Sequence, residues 1–66
     1  MNLSTKLKQL RIAHNITQSQ LADKINVSKS TIYAWESAKR PPKIKHIIAI
    51  AKIYNITVDY LIGLKD

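Results

Sequence analysis

Sixty-six residues are enough for one small domain, and a chain of that size buries only roughly 60% of its unfolded surface, so its stability margin is thin. It has no cysteine and two separated histidines, which excludes disulfide or thiolate stapling and argues against a metal site. Eleven Lys and Arg stand against four Asp and Glu, a formal charge of +7 with a pI near 10.0, so the expected partner is a polyanion, nucleic acid before an anionic membrane.

Apolar residues make up 45% of the chain, enough for a globular core. The longest apolar cluster, 47–51, falls far short of the ~18 residues of a membrane span, and no signal-peptide pattern is present. A cytoplasmic protein is expected. Residues 1–66 read as a single domain. From Met1 and the lack of a linker after Gly63, a free-standing chain is expected.

A first helix is expected from about Ser4 to His14, with Leu7, Leu10 and Leu3 on one face and Lys6, Lys8 and Gln9 on the wet side. Arg11 falls on or beside the apolar face. It is either a snorkelling surface side chain or half of a partly buried ion pair, for which Glu36 is the natural partner. A second helix, 17–25, is announced by Thr17 as N-cap with Gln20 three residues on, a capping box. Its apolar face is Leu21, Ala22 and Ile25. Asn26 ends it in the left-handed conformation, and Val27 plugs the turn.

Ser28 caps a third helix, 28–37, with Thr31, Ile32 and Trp35 inward. Its other side, Lys29, Ser30, Tyr33 and Ala34, has no large aliphatic residue. A short helix after a tight turn, packed on one side and polar on the other, suits the DNA major groove. The next segment, 37–43, carries Lys39, Arg40 and Lys43, and Pro41 and Pro42 bar a helix there. By itself it reads as a solvated basic loop.

A fourth helix, 44–54, places Ile44, Ile47, Ile48, Ala51 and Tyr54 on a core stripe. Ile50 and Ile53 widen it into a broader core contact or a partner surface. A fifth, 58–62, begins at the Thr57 cap and ends at Gly63. Val58, Leu61 and Ile62 point inward, leaving Tyr60 and Leu64 for the surface. One pattern recurs at 2–4, 15–17, 26–28 and 55–57: Asn, an apolar residue, then Ser or Thr. Each copy matches the N-glycosylation acceptor, but nothing suggests secretion. Except in the first copy, where only the cap survives, Asn closes one helix, the apolar residue fills the corner and the hydroxyl caps the next.

Gln18-x-x-Leu21-Ala22 followed by Val27-Ser28-x-x-x-Ile32-x-x-Trp35-Glu36 resembles the helix-turn-helix of the phage Cro/CI repressors and their bacterial relatives, the XRE-type regulators. The resemblance runs from about Leu7 to Gly63. It implies an all-α fold, a compact five-helix lambda-repressor-like domain, and sequence-specific binding of double-stranded DNA by a transcriptional regulator, a repressor by expectation. It implies base reading by Lys29, Ser30, Tyr33 and Ala34. Phosphates would be held by Gln18, Ser28, Ser37, Lys39, Arg40 and Lys43. It pairs Arg11 with Glu36 and puts a homodimer on a near-palindromic operator, with Ile53, Tyr60 and Leu64 as interface candidates. Gly is usual in this family where the chain has Asn15, Asn26 and Asn55.

No P-loop, no HExxH and no paired carboxylates are present, and His14 and His46 have no catalytic or metal-binding neighbour in sequence, so neither an enzyme nor a cofactor is expected. Two other classes stay open: an antitoxin or antirepressor of the same fold that buries this surface against a protein, and a basic membrane-surface peptide with no folded core.

Overall fold

The computed structural model describes residues 2–64. Five helices follow one another, α1 (Leu3–Ala13), α2 (Gln18–Ile25), α3 (Lys29–Glu36), α4 (Ile44–Tyr54) and α5 (Val58–Ile62), and the described residues contain no strand. The all-α expectation holds. Four helices begin on a side-chain cap. Asn2, Thr17, Ser28 and Thr57 accept from the backbone N–H of Thr5, Gln20, Thr31 and Tyr60. At α2 the cap is reciprocal, Gln20 Oε1 accepting from the Thr17 N–H at 2.8 Å. In α1 the cap is Asn2 rather than Ser4. The Ser4 hydroxyl lies inside the first turn and donates to Asn2 Oδ1 at 2.9 Å.

The five helices also share one ending. Asn15, Asn26, Ala38, Asn55 and Gly63 all have positive φ, between 55° and 89°. The next residue in each case donates five positions back: Ile16 to Arg11, Val27 to Ala22, Lys39 to Ala34, Ile56 to Ala51, Leu64 to Asp59, at 2.8–3.2 Å. This is the Schellman closure, which satisfies carbonyls that a helix end leaves open. Three of the donors, Ile16, Val27 and Ile56, also pack against the core. The Asn–apolar–Ser/Thr repeat therefore carries three instructions in a row: stop, plug, restart.

Leu7, Leu21, Ile32, Ile50 and Leu61 form the centre of the core, one from each helix, with Trp35, Ile47, Ala51 and Tyr54 around them. Burying a side chain of this size stabilises by about 1.5–3 kcal/mol. The phase of α4 differs from the expected one. Its buried residues are Ile47, Ile50, Ala51 and Tyr54, while Ile44 and Ile48 are 64% and 42% exposed. Both sets follow helical spacing, so the isoleucine-rich sequence permits either. Packing against α2 and α5 selects the second. Ile50 is thus central to the core, and Ile53 lies at its edge. Ile62, expected inside, is exposed, because Val58 and Leu61 already supply the inward face of so short a helix.

Candidate nucleic-acid interface

Asn26 closes α2 at φ 61°, ψ 47°, and Ser28 restarts the chain as α3 two residues later. Ile32 and Trp35 anchor α3 in the core, and Thr31 is half-buried. That leaves Lys29, Ser30 and Tyr33 exposed on the outward side. Ala34, expected beside them, is only 7% exposed. The chain turns back at Ala38, and the Lys39 and Arg40 N–H groups both donate to the Ala34 carbonyl, at 2.9 and 3.3 Å. The returning segment closes off the turn that carries Ala34, which removes it from the readable surface.

The expected phosphate contacts fall into two groups. Lys39, Arg40 and Lys43 are exposed cations on the segment joining α3 to α4. Lys39 Nζ sits 5.4 Å from the centre of the Tyr33 ring, so this loop and the outward face of α3 touch. Gln18, Ser28 and Ser37 instead have internal partners. Gln18 Nε2 donates to Glu36 Oε1 at 3.1 Å. Ser28 Oγ caps α3 and lies 3.0 Å from Ser30 Oγ and 2.8 Å from Thr31 Oγ1. The Ser37 hydroxyl donates to the Tyr33 carbonyl at 2.8 Å. What Gln18 offers outward is its backbone N–H, in the first turn of α2, where no intrahelical acceptor exists.

Glu36 places a carboxylate beside this surface, and it is occupied. Arg11 donates to it through Nε (2.7 Å) and Nη2 (3.1 Å), and through Nη1 to the Ile16 carbonyl (3.0 Å). The two side chains are 13% and 4% exposed. The hydrogen bond to Glu36 raises the Arg11 pKa above its ordinary value, against the opposing effect of burial. Lys8, placed on the wet side in sequence, lines a recess of about 250 Å³ with Gln18, Tyr33, Glu36 and Ser37. Its position was readable: it lies three residues before Arg11, one turn along the same face.

Of the dimer candidates, Leu64 is fully available. Ile53 is partly buried against the core. Tyr60 is half-covered by Lys6, whose Nζ lies 4.2 Å from the ring centre and donates to the Tyr60 carbonyl at 2.9 Å. Among the described residues no group of three His, Cys, Asp or Glu side chains comes together as a metal site, and no helix is long and apolar enough to cross a membrane.

A capped helix–turn–helix with an uncovered polar second helix, flanked by a basic loop, is the arrangement of DNA-binding regulators. The helix-turn-helix family model matches residues 7–61, and the chain belongs to that family. It is 39% identical over 61 residues to the HTH-type transcriptional regulator YobD of Bacillus subtilis (strain 168), covering 92% of this chain and 54% of that protein. It is 40% identical over 63 residues to the HTH-type transcriptional activator BcrR of Enterococcus faecalis, covering 96% of this chain and 31% of that one. The chain therefore spans about half of one of these curated relatives and about a third of the other. The first bears the name of an uncharacterized transcriptional regulator and the second that of a transcriptional activator. Among solved structures, the P22 c2 repressor in complex with a synthetic operator superposes with a TM-score of 0.90 at 23% identity, over 98% of both chains, a likeness of fold.

Proposed function

We propose that residues 1–66 act as one sequence-specific, double-stranded DNA-binding domain of a transcriptional regulator. α3 enters the major groove, and Lys29, Ser30 and Tyr33 read base edges. Lys29 donates to guanine O6 and N7. Lys39, Arg40 and Lys43, with the N–H of Gln18, hold phosphates, while Gln18, Ser28 and Ser37 brace the reading helix through their side chains. The single observation that carries this reading is the outward face of α3: three exposed side chains with donors, on a helix anchored by Ile32 and Trp35 and flanked by a basic loop.

The working form is a homodimer on a near-palindromic site, with two copies of α3 about one DNA turn apart. The exposed apolar side chains at the end of the chain, Ile62 and Leu64, are the parts of a second copy's contact left uncovered in one chain. Occupancy of a site overlapping a promoter represses by excluding polymerase, and the compartment of action is the cytoplasm.

Selection of bound sequences from a random duplex pool tests the reading. It predicts an enriched motif with two-fold symmetry, bound in a salt-sensitive manner. Enrichment of no motif, or equal binding to every duplex, overturns it. A second reading, a module that binds a protein, rests on Ile44 and Ile48, which lie one turn apart and exposed on α4. It predicts that the chain alone shows no salt-sensitive binding to any palindromic duplex.

A further inference from the structure

His46 lies in the first turn of α4 with its ring against the Trp35 indole, centroids 5.1 Å apart. It forms one wall of a recess of about 340 Å³ between the starts of α3 and α4. Ser28, Thr31, Arg40 and Lys43 line the same recess with Val27 and Pro41, and among the described residues no carboxylate does. α4 differs from the other helices in having no side-chain cap, since its N-cap is Lys43. The His46 N–H turns back on the Lys43 carbonyl at 2.9 Å, so the donors this recess offers are side chains. The Ser28 and Thr31 hydroxyls are 2.8 Å apart and engaged with each other, so the groups left to meet a ligand are the Arg40 and Lys43 cations and the His46 ring, a set that matches an oxyanion of phosphate size.

The imidazole is an unsatisfied member of this group. Its Nδ1 is buried and has no hydrogen-bond partner. Burial first, then Lys45 and Lys43, hold the His46 pKa below its ordinary value of 6.5. Arg40 adds a third cation from the loop, and α3 contributes only the neutral Ser28, Thr31 and Trp35. Without an anion, a second proton on this ring has no compensating partner. An oxyanion in the recess supplies one.

We propose that this recess seats a phosphate of the DNA backbone and that seating it is coupled to proton uptake by His46. The proposal rests on the DNA-binding reading above and adds His46 to it as a phosphate contact that responds to pH. The sign follows from the charges. The free protein disfavours the charged ring and a seated phosphate favours it, so affinity rises as pH falls. One coupled proton sets an upper limit of about tenfold per pH unit.

The test is binding to a labelled duplex between pH 5.5 and 8 at constant ionic strength, near neutrality on the scale of an ordinary histidine. It uses the duplex selected above and a scrambled one. Affinity of the intact chain should rise towards acid on both duplexes, because a phosphate contact carries no sequence information. His46→Gln should flatten the profile. His14→Gln should leave it unchanged, since His14 is exposed, lies at the far end of α1 and has its Nδ1 on the Leu10 carbonyl at 2.9 Å. Titration of the His46 ring resonances in the intact chain, with and without duplex, gives the same answer without any variant: the midpoint should move up with DNA. Equal pH profiles for the intact chain and His46→Gln, or an unmoved ring midpoint while DNA is bound, overturn the proposal and leave the DNA-binding reading standing. Absence of duplex binding at every pH and low salt overturns the reading itself.

Discussion

Arg11 grips Glu36 with two parallel hydrogen bonds, 2.7 and 3.1 Å long, and so joins the last turns of α1 and α3. Gln18 donates to the same carboxylate from α2. Three helices thus converge on one side chain that is 4% exposed. Removing the carboxylate strands the guanidinium, and Glu36→Ala should cost about 3–5 kcal/mol. Replacing both Arg11 and Glu36 by apolar residues of similar volume should recover most of that loss. Urea unfolding of the two variants checks both expectations. A loss below about 1 kcal/mol for Glu36→Ala would mean that the pair behaves as a surface contact.

Ala38 adopts φ 62°, a conformation that an L-residue with a Cβ occupies at a cost of about 1–2 kcal/mol. Glycine adopts it freely but loses more chain entropy on folding. The strain is the larger effect, so Ala38→Gly should stabilise by about 0.5–1 kcal/mol. The thermal midpoint should rise by a few degrees. A lower midpoint would contradict the strain argument.

The Tyr54 hydroxyl is buried with no hydrogen-bond partner, and its ring lies 4.5 Å from that of His14. Tyr54→Phe removes an unsatisfied polar atom and should leave stability unchanged or raise it. Burial pushes the Tyr54 pKa up from 10.0 to about 12. The folded state therefore favours the protonated phenol. Stability tied to this group is intact below pH 10 and lost as pH climbs from 10 towards 12. Alkaline unfolding of Tyr54→Phe should accordingly begin at higher pH than that of the parent chain, as followed by circular dichroism.

Lys29 and Arg40 should fail in different ways. Lys29→Ala should cost about 1–3 kcal/mol of binding and relax preference at one base position. Arg40→Ala should weaken all duplexes alike and flatten the dependence of log affinity on log salt by roughly one unit. Uniform weakening by Lys29→Ala would remove it from the base readers. A changed motif with Arg40→Ala would remove it from the phosphate group.

The parts of the fold legible in the sequence are those made by neighbours along the chain. Thr17 with Gln20, Ser28 with Thr31, and Asn26 with Val27 each act within five residues, so residue type at fixed spacing carries the signal. The phase of α4 was not legible. Isoleucine at 44, 47, 48, 50 and 53 offers two stripes, and only the partners α2 and α5 distinguish them. The burial of Ala34 was hidden for a similar reason, because it depends on how the later segment returns over the helix. The left-handed Ala38 carries no local mark at all. At the candidate interface, exposed cations were readable from charge and position. The prior engagement of Gln18 and Ser37 was not, since it depends on which carboxylate and which carbonyl come within reach.

The two amide bonds from Lys39 and Arg40 to the single Ala34 carbonyl have a consequence for search and recognition. They tie the segment that carries Lys39 and Arg40 to α3, so that in the proposed complex the phosphate contacts and the base-reading face move together. A wrong sequence cannot then be tolerated by slackening the probe of the bases while the grip on the phosphates stays shut. Misfit at a base pair is transmitted to the phosphate contacts, and the domain lets go as a unit. Discrimination between sites should then exceed what the few reading side chains would give if each acted alone.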